Sequence, residues 1–464
     1  MIKRLLAGTA AVILVGGLAA LNLSPVGRVY LPSGTGIVAK QTCSLTWVSG
    51  LDSEFARSVY LDPLLGAAGS VITSDIDEEA RTVSAGVLGI FWKQTAVWRD
   101  GLGCTLVHDA DAFDADLTVP VDQDFQPMEI DPAFRDAHFH TSALDAAIDA
   151  AFGDPETDAR NTLGVAVLYQ GQLVAERYAP QASRETRFHG WSMTKSAMTT
   201  LAGRLQYQGV LDIEAEGAVP SLSAVSGDYE DVTIEALLRM AGGFAIAETN
   251  TGFDPNSEML FTQSDMTQYA ATRERLHAPL EHWQYMSGNT IMATHTMQQQ
   301  LGDDIPSHVQ GLREVLFEPL NMYSPILEMD ETGTFQGSSY MYATAQDWAR
   351  LGWLYANEGM FDGERLLPED WNAIVSTPTD GSNRAYGMGF WLPGEHDGVP
   401  EGTFMMSGFQ SQWGFIMPEQ DLVVVRFGAT NRASSRSYEL AAAVVSALRQ
   451  DQDGIETDPA TQPE

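Results

Sequence analysis

Ser192 and Lys195 are the residues whose types and spacing most directly suggest chemistry. They stand three positions apart at the predicted start of a helix, so their side chains would share one helix face. A serine hydroxyl becomes a good nucleophile when a neighbouring base takes its proton, and a buried lysine can do this whereas an arginine cannot. Although this spacing is common by chance, Lys195 is the only lysine after Lys93. The pair predicts covalent catalysis on Ser192.

Tyr285 and Ser287 form a second candidate pair, on a predicted loop about 90 residues after Lys195. A phenol beside a lysine ammonium can have a lowered pKa and can then work as a general base. We therefore expect Tyr285 to complete the proton-handling cluster around Ser192. The alternative is a core tyrosine without a catalytic role, which would be the better interpretation if Tyr285 stood alone.

Ser407, Gly408 and Phe409 form the third candidate segment, just before a predicted strand. A glycine on an edge strand lets a substrate backbone approach closely. The backbone N–H that follows it could donate to an oxyanion. This segment is the weakest of the three, because Ser-Gly pairs are common in turns.

Helices and strands that could position these residues alternate along the chain in a recognisable order. Apolar periodicity, capping residues and turn residues predict each of them. Helices are predicted at Ser142–Phe152, Ser192–Gln208, Thr233–Ala241, Thr344–Gly359 and Arg436–Arg449, and strands at Cys43–Val48, Thr82–Val97, Gly164–Gln170, Leu173–Tyr178, Trp413–Met417 and Leu422–Phe427. This order predicts an α+β fold in which an antiparallel sheet is flanked by terminal helices and joined to a helical lobe.

Four segments are predicted from the composition. Residues 1–23 combine Lys3 and Arg4 with an apolar run, which is typical of a signal peptide or an N-terminal membrane anchor. Residues 24–135 form an N-terminal region, and 136–450 form the hydrolase domain. Residues 451–464 are polar and acidic and predict a disordered tail. We expect an exported protein, either periplasmic or held at the inner membrane with its catalytic domain outside the cytoplasm.

Cys43 and Cys104 are the two cysteines of the chain. An even cysteine count in an exported protein favours a disulfide, and the alternative is a pair of buried free thiols. We expect the disulfide.

The charge of the chain excludes some classes of partner. A net charge of −36 argues against nucleic acid, which requires basic surface. His138 and His140 have no nearby third ligand for zinc, and the acidic run 108–116 matches a calcium loop poorly. We expect no metal or cofactor, and a small molecule rather than a nucleic acid as the partner.

The three candidate segments, in this order, resemble those of the serine β-lactamase and penicillin-recognising family. The similarity is closest to its class C-like branch of esterases and 6-aminohexanoate-dimer hydrolases, and it extends over roughly Ser142 to Arg449. Further resembling segments are Leu237–Met240, Trp283–Tyr285, Gly288–Thr290, Tyr342–Ala345, Asp347–Gly352 and Tyr386–Trp391.

The resemblance implies roles for the individual residues. Ser192 would attack a carbonyl while Lys195 and Tyr285 accept and relay its proton, and the N–H groups of Ser192 and Phe409 would form the oxyanion hole. Tyr285, helped by Ser287, would protonate the leaving group and later activate water. Ser407, Gly408 and Asn289 would lie on the substrate-binding side.

One position departs from the family pattern. The third motif of the family often begins with lysine or histidine, whereas Met406 stands there in this chain. Arg384 or Arg432 could supply the missing charge. Without it, an anionic β-lactam is a less suitable substrate for so acidic a protein.

The resulting expectation is a serine hydrolase that cleaves a small amide or ester through an acyl-enzyme on Ser192. One alternative is a cell-wall D-Ala peptidase or a β-lactamase. Another is a non-catalytic sensor on the same scaffold. An α/β-hydrolase is disfavoured, because the segment around Ser192 lacks the last glycine of the nucleophile elbow.

Overall fold

The computed structural model describes residues 20–111, 113–121, 126–153, 160–216, 230–396, 398–431 and 434–449. Most of the predicted signal or anchor, the predicted tail and Arg432 lie outside the described residues. Within these ranges, no helix combines the length and the apolar character that crossing a bilayer requires.

The described strands and α-helices are numbered here in chain order. The strands are β1 (Ile72–Asp77), β2 (Thr82–Val87), β3 (Phe91–Arg99), β4 (Gly103–Val107), β5 (Thr162–Tyr169), β6 (Gln172–Tyr178), β7 (Phe188–His189), β8 (Ile326–Leu327), β9 (Met341–Ala343), β10 (Met360–Phe361), β11 (Glu364–Arg365), β12 (Phe404–Gly408), β13 (Gln412–Met417) and β14 (Leu422–Gly428). The α-helices are α1 (Leu31–Trp47), α2 (Ser53–Phe55), α3 (Asp62–Leu65), α4 (Pro132–His138), α5 (Thr141–Phe152), α6 (Met193–Tyr207), α7 (Ile234–Leu238), α8 (Pro255–Thr262), α9 (Met266–Ala271), α10 (Ser287–Gln298), α11 (Ile305–Leu312), α12 (Ala345–Ala356), α13 (Trp371–Ser376) and α14 (Ser437–Ser446). Short π-helical or 3₁₀ turns lie at Val26–Tyr30, Ala56–Leu61, Gly66–Ser70, Arg313–Phe317, Glu318–Leu320 and Pro418–Gln420.

The five-stranded sheet of the hydrolase domain is antiparallel, with the order β12-β13-β14-β5-β6. The central strands β5 and β14 are apolar and almost wholly buried, because helices cover both faces of the sheet. The terminal helices α5 and α14 pack together on one face, and α6 and α12 lie on the other. The predicted α+β architecture is confirmed.

The helical lobe lies between strands β7 and β8 in the sequence and comprises α7 to α11. Helix α7 ends at Leu238 rather than at Ala241, because the chain adopts a left-handed conformation at Met240, where φ is 62°. A small sheet of order β7-β9-β8 joins the start of α6 to the region after the lobe.

The N-terminal region consists of α1 packed against a four-stranded antiparallel sheet, β1 to β4. The predicted strand at Cys43–Val48 is wrong, since α1 extends to Trp47. Twelve of the 17 residues of α1 are buried, so the helix has no broad polar face from which its 3.6-residue period could be recognised. Cys43 and Cys104 form the predicted disulfide, which joins α1 to β4.

Candidate active site

Helix α6 brings Ser192 and Lys195 together. Ser192 occupies the N-cap position of the helix without a side-chain capping bond, and Lys195 stands on its first turn. The Nζ atom of Lys195 donates a hydrogen bond to the Oγ atom of Ser192 over 3.0 Å. The two side chains therefore meet as their spacing predicts.

The turn that leads into Ser192 is held in an unusual conformation. Trp191 has a φ of 47°, in the left-handed region that non-glycine residues rarely adopt. Its indole N–H donates to the Gln410 side chain over 3.2 Å, which ties the turn to the loop after β12. A strained residue beside a reactive group is a common feature of functional sites.

Lys195 is buried, with 1% of its surface exposed. Its amine donates to Ser287 Oγ over 3.1 Å and to the Ser338 carbonyl over 2.9 Å, in addition to Ser192. Burial lowers the pKa of Lys195 to about 8, although the negative charge of Glu248 acts in the opposite direction. A lysine with such a pKa can lose its proton near neutral pH and act as a base.

Tyr285 lies against the same amine, with the Lys195 Nζ atom 4.9 Å from the centre of its ring. Tyr285 and Ser192 both line the cavity, and the Ser192 side chain acts to lower the pKa of the Tyr285 phenol. Burial, with the charge of Glu248 and the neighbouring Tyr386, raises the pKa of Tyr285 well above its usual value. The expected lowering of this pKa is therefore wrong, and Tyr285 is a protonated phenol suited to donating rather than accepting a proton.

Glu248 is the site residue that sequence reasoning missed. Its carboxylate accepts hydrogen bonds from the Ser287 backbone N–H over 2.7 Å and from the Ser287 hydroxyl over 2.9 Å. It thereby fixes the start of α10 and the hydroxyl that contacts Lys195. In a chain with 62 acidic residues, neither spacing nor composition distinguishes this glutamate.

A cavity of about 350 Å³ opens beside Ser192. Of the predicted site residues, its wall contains Ser192, Tyr285, Ser407, Gly408 and Phe409. Ser287 is 1% exposed and lies behind the wall, against Lys195.

The charge of this wall differs from that of a site for anions. Among the described lining residues, Glu248 is the only charged one, and neither lysine nor arginine is present. Arg384 is exposed and does not line the cavity. Met406, at the start of the third motif, is uncharged and is buried in the core.

Asn289 does not reach the cavity. It follows Ser287 on α10 but is fully buried in the lobe and is not part of the cavity wall. Ser287 and Asn289 are two positions apart on α10, so their side chains lie on different faces of the helix. The structure therefore contradicts its expected contact with substrate.

Gly408 has a second reason for being glycine besides the one expected from the sequence. It ends the edge strand β12, as predicted, but a Cβ atom there would lie 2.1 Å from the carbonyl oxygen of Gly190. A close neighbour is thus the turn before Ser192, and Gly408 also lines the cavity. Gly408 allows β12 to press against the segment that presents the nucleophile.

Trp391 and His189, two aromatic residues near Ser192, have different roles. Trp391 lines the cavity, with its ring centre 5.1 Å from that of Tyr285. His189 is buried and contacts the Ser339 carbonyl over 2.7 Å, and burial lowers its pKa to about 3. His189 is therefore a neutral structural residue rather than a partner of Ser192.

The backbone N–H groups of Ser192 and Phe409 are candidates for binding an oxyanion. In the described part of the chain, no hydrogen bond from either group to another protein group is found. Among the described residues, no group of three or more His, Cys, Asp or Glu side chains is arranged to hold a metal ion.

Comparison with known families decides the relationship. The family model named Beta-lactamase matches residues 146–449, which is about two thirds of the chain. The chain belongs to the beta-lactamase family. This match covers the hydrolase domain, including every catalytic candidate, and leaves the N-terminal region outside.

Solved structures share the fold of this beta-lactamase family chain at low sequence identity. A Bacillus anthracis protein described as a 6-aminohexanoate-dimer hydrolase has a TM-score of 0.53 and 18% identity, covering 70% of this chain and 88% of its own. EstCE1, a hydrolase with promiscuous acyltransferase activity, has a TM-score of 0.52 and 16% identity, with coverages of 66% and 99%. A penicillin-binding protein homologue from Caulobacter crescentus has a TM-score of 0.50 and 17% identity, with coverages of 69% and 99%. No curated protein matches the sequence.

Proposed function

We propose that this beta-lactamase family member is a serine hydrolase that cleaves a small amide or ester through an acyl-enzyme on Ser192. The observation that carries the proposal is the 3.0 Å contact between the Ser192 hydroxyl and a buried amine whose pKa is lowered to about 8. Membership of a hydrolase family supports the reaction class. The amide or ester substrate and the roles of individual residues are part of the proposal and do not come from the family match.

Acylation would begin at the pair of Ser192 and Lys195. The neutral Lys195 amine takes the hydroxyl proton as the Ser192 oxygen attacks the substrate carbonyl. The negative charge that develops on the carbonyl oxygen is stabilised by the N–H groups of Ser192 and Phe409. The N-terminal end of α6 adds a favourable dipole at this position.

Tyr285 would protonate the leaving group. Its raised pKa keeps the proton on the phenol until an amine or alkoxide departs, and the neighbouring Lys195 ammonium then returns a proton to the phenolate. Ser287, held by Glu248, keeps the Lys195 amine in place during this exchange. In deacylation, Lys195 takes a proton from the water that attacks the acyl-enzyme, and it returns this proton to the Ser192 oxygen as the bond to the acyl group breaks.

The charge of the cavity favours a neutral or cationic substrate. No described lysine or arginine lines it, and Glu248 contributes a negative charge. A β-lactam or a cell-wall D-Ala peptide carries a carboxylate, which this wall would repel. A linear amide or ester without that group fits better.

Hydrolysis of p-nitrophenyl acetate tests the proposal. Activity should fall to the background rate in Ser192→Ala and Lys195→Ala, while Ser58→Ala and Lys93→Ala, which change exposed residues of the same types, should keep it. Unchanged activity in the first two variants would reject the assigned roles. Efficient hydrolysis of nitrocefin would instead favour a β-lactamase.

We also propose an exported location, periplasmic or membrane-anchored. The Cys43–Cys104 disulfide supports an oxidising compartment, because such bonds are rare in a reducing cytoplasm. The N-terminal run of apolar residues after Lys3 and Arg4 agrees with this location.

A further inference from the structure

The N-terminal region builds a large part of the cavity wall. Its lining residues come from α1, from the short turns that follow, and from the start of β1: among them are Ile37, Leu64, Leu65, Ala68 and Ile72. All of them precede residue 146, where the family match begins. This part of the site is therefore an addition to the hydrolase domain.

The added wall is mainly aliphatic, and the polar groups among its described lining residues are the side chain of Ser33 and the hydroxyl of Tyr30. Its aliphatic side chains are joined by Leu260 and Phe261 of α8, which also line the cavity. The polar groups needed for chemistry, Ser192, Glu248 and Tyr285, come from the hydrolase domain. The cavity thus combines a reactive polar part with an apolar part that no proposed step of the reaction uses.

A buried ion pair fixes this wall to the hydrolase domain. Lys40 on α1 lies 2.7 Å from the Glu328 carboxylate, and both side chains are at most 1% exposed. The same carboxylate accepts hydrogen bonds from the Ser44 hydroxyl over 2.8 Å and from the Cys104 N–H over 2.6 Å. Helix α1 is therefore bound at a defined position beside the site.

Close backbone contacts make the wall rigid. A Cβ atom on Gly36 would lie 2.4 Å from the Phe261 carbonyl oxygen, so α1 and α8 touch directly. The Gln410 side chain donates to the Tyr60 carbonyl over 2.9 Å and accepts from Trp191, beside the nucleophile. The N-terminal region thus supports the catalytic turn as well as the cavity.

We propose that the N-terminal region is the specificity element of the enzyme and accepts an uncharged apolar chain on one side of the scissile bond. The inference rests on the proposed hydrolase function and narrows its substrate class to esters or amides with such a chain. Burial of this chain against the aliphatic wall supplies the binding free energy. The proposed substrate has no carboxylate at the chain's end, because no described lysine or arginine lines the cavity to pair with it.

Two series of esters test the proposal. One extends the acyl group of p-nitrophenyl esters from acetate to butyrate, hexanoate and octanoate, and the other extends the alcohol of acetate esters in the same steps. In one series, kcat/KM should rise by about fourfold per buried methylene, the equivalent of ~0.8 kcal/mol, until the cavity is full. A flat dependence in both series would overturn the inference.

Neighbouring alanines provide a matched pair of variants. Ala68 lines the cavity, whereas Ala67 on the same turn is exposed and does not. Ala68→Trp should abolish the preference for longer chains, measured as the ratio of kcat/KM for the longest ester of the series to kcat/KM for the shortest. Ala67→Trp should leave the chain-length profile unchanged, and an equal effect of both variants would contradict the proposal.

A second pair controls for a change in folding. Ile37→Ala enlarges the cavity and should shift the optimal substrate to a longer or bulkier chain. Ile76→Ala, in the same region but away from the cavity, should leave the optimal chain unchanged. Unshifted optima in Ile37→Ala and Ala68→Trp would overturn the specificity role. The two proposals can fail separately. The hydrolase proposal fails if Ser192→Ala keeps acetate hydrolysis, whereas the specificity proposal fails if the wall variants keep the chain-length profile.

Discussion

At the scale of single residues, the chemistry of this site depends on how Lys195 is surrounded. An exposed lysine would be protonated at neutral pH and could not accept the Ser192 proton. Here burial lowers the pKa, and the three oxygen atoms around the amine hold it in one position. The nearby Glu248 charge limits the lowering. The balance between burial and that charge should set the pH range of activity.

Glu248→Gln tests this balance. The kcat/KM of the unmodified enzyme should rise with pH and level off above about 8, because the reaction needs the neutral Lys195 amine. Since the Glu248 charge raises the Lys195 pKa, its removal should move this rise to lower pH. The measurement is the pH profile of p-nitrophenyl acetate hydrolysis.

Glu274→Gln is the control for that profile, because it removes an equal charge from an exposed position in the same lobe. It should leave the profile in place. A shift to higher pH in Glu248→Gln, or equal shifts in both variants, would contradict the assignment of the titrating group to Lys195.

Tyr285→Phe separates proton donation from nucleophilic attack. The variant should lose roughly 10²- to 10⁴-fold in kcat for an anilide or an alkyl ester, whose leaving group needs a proton. It should lose far less for p-nitrophenyl acetate, because p-nitrophenolate leaves as a stable anion. Steady-state kinetics on both substrate types measure the difference, and equal losses would show that Tyr285 acts in the attack itself.

The sequence predicts local parts of this site better than distant ones. Ser192 and Lys195 are three positions apart on one helix, so their contact follows from helix geometry. Glu248 reaches Ser287 from 39 positions away, through a fold that no local pattern encodes. The pKa of Tyr285 departs from its usual value in the direction opposite to the expected one, because burial, the Glu248 charge and the neighbouring Tyr386 raise it.

At the scale of elements, the contact of α1 with the hydrolase domain depends on the Lys40–Glu328 pair. Desolvation lowers the pKa of Lys40 and raises that of Glu328, so each group needs the other to remain charged. A buried partner left alone is strongly destabilising, whereas an exposed pair contributes little.

Lys40→Met should therefore reduce the free energy of unfolding by about 3–5 kcal/mol, since Glu328 remains buried without its partner. The double variant Lys40→Met/Glu328→Gln should recover most of this loss. Urea unfolding of the single and double variants provides the measurement. Arg436→Met, which breaks the exposed pair with Glu439, is the control; a Lys40→Met effect as small as that of the control would refute the role of the buried pair.

Helix α1 also shows where the prediction of elements fails. The helices α5, α6 and α12 were predicted to within a few residues, and α12 has a side-chain cap, in which Thr344 accepts from the Asp347 N–H. Helix α1 is buried on most sides by β2, β3 and α8, so polar residues such as Gln41 point inward and mask the helical period. Its last residues alternate polar and apolar, which imitates a strand.

At the scale of the whole molecule, the acidic excess is the dominant property. The chain has 62 acidic and 26 basic residues, so most surface carboxylates cannot find a basic partner. Repulsion among them opposes folding at low ionic strength. Salt shortens the range of this repulsion, to ~10 Å at 0.1 M and ~3 Å at 1 M.

The melting temperature should accordingly rise by several degrees between 10 mM and 1 M NaCl. Scanning calorimetry at fixed pH measures it, and the same series in sodium perchlorate, a salt of similar screening but a weakly hydrated anion, checks that charge screening is the cause. A melting temperature that is constant or falls with NaCl would contradict the claim that repulsion among surface carboxylates destabilises the folded protein.

The whole-molecule view also returns to the catalytic centre, because both the hydrolase domain and the N-terminal region converge on the turn before Ser192. Labelling with a fluorophosphonate, followed by proteolysis and mass spectrometry, tests the central claim most directly. We predict one adduct, on the peptide that carries Ser192, with much slower labelling in Lys195→Ala and an unchanged rate in Lys93→Ala. An adduct on another serine with Ser192 unmodified, or equal labelling rates with and without Lys195, would contradict the account.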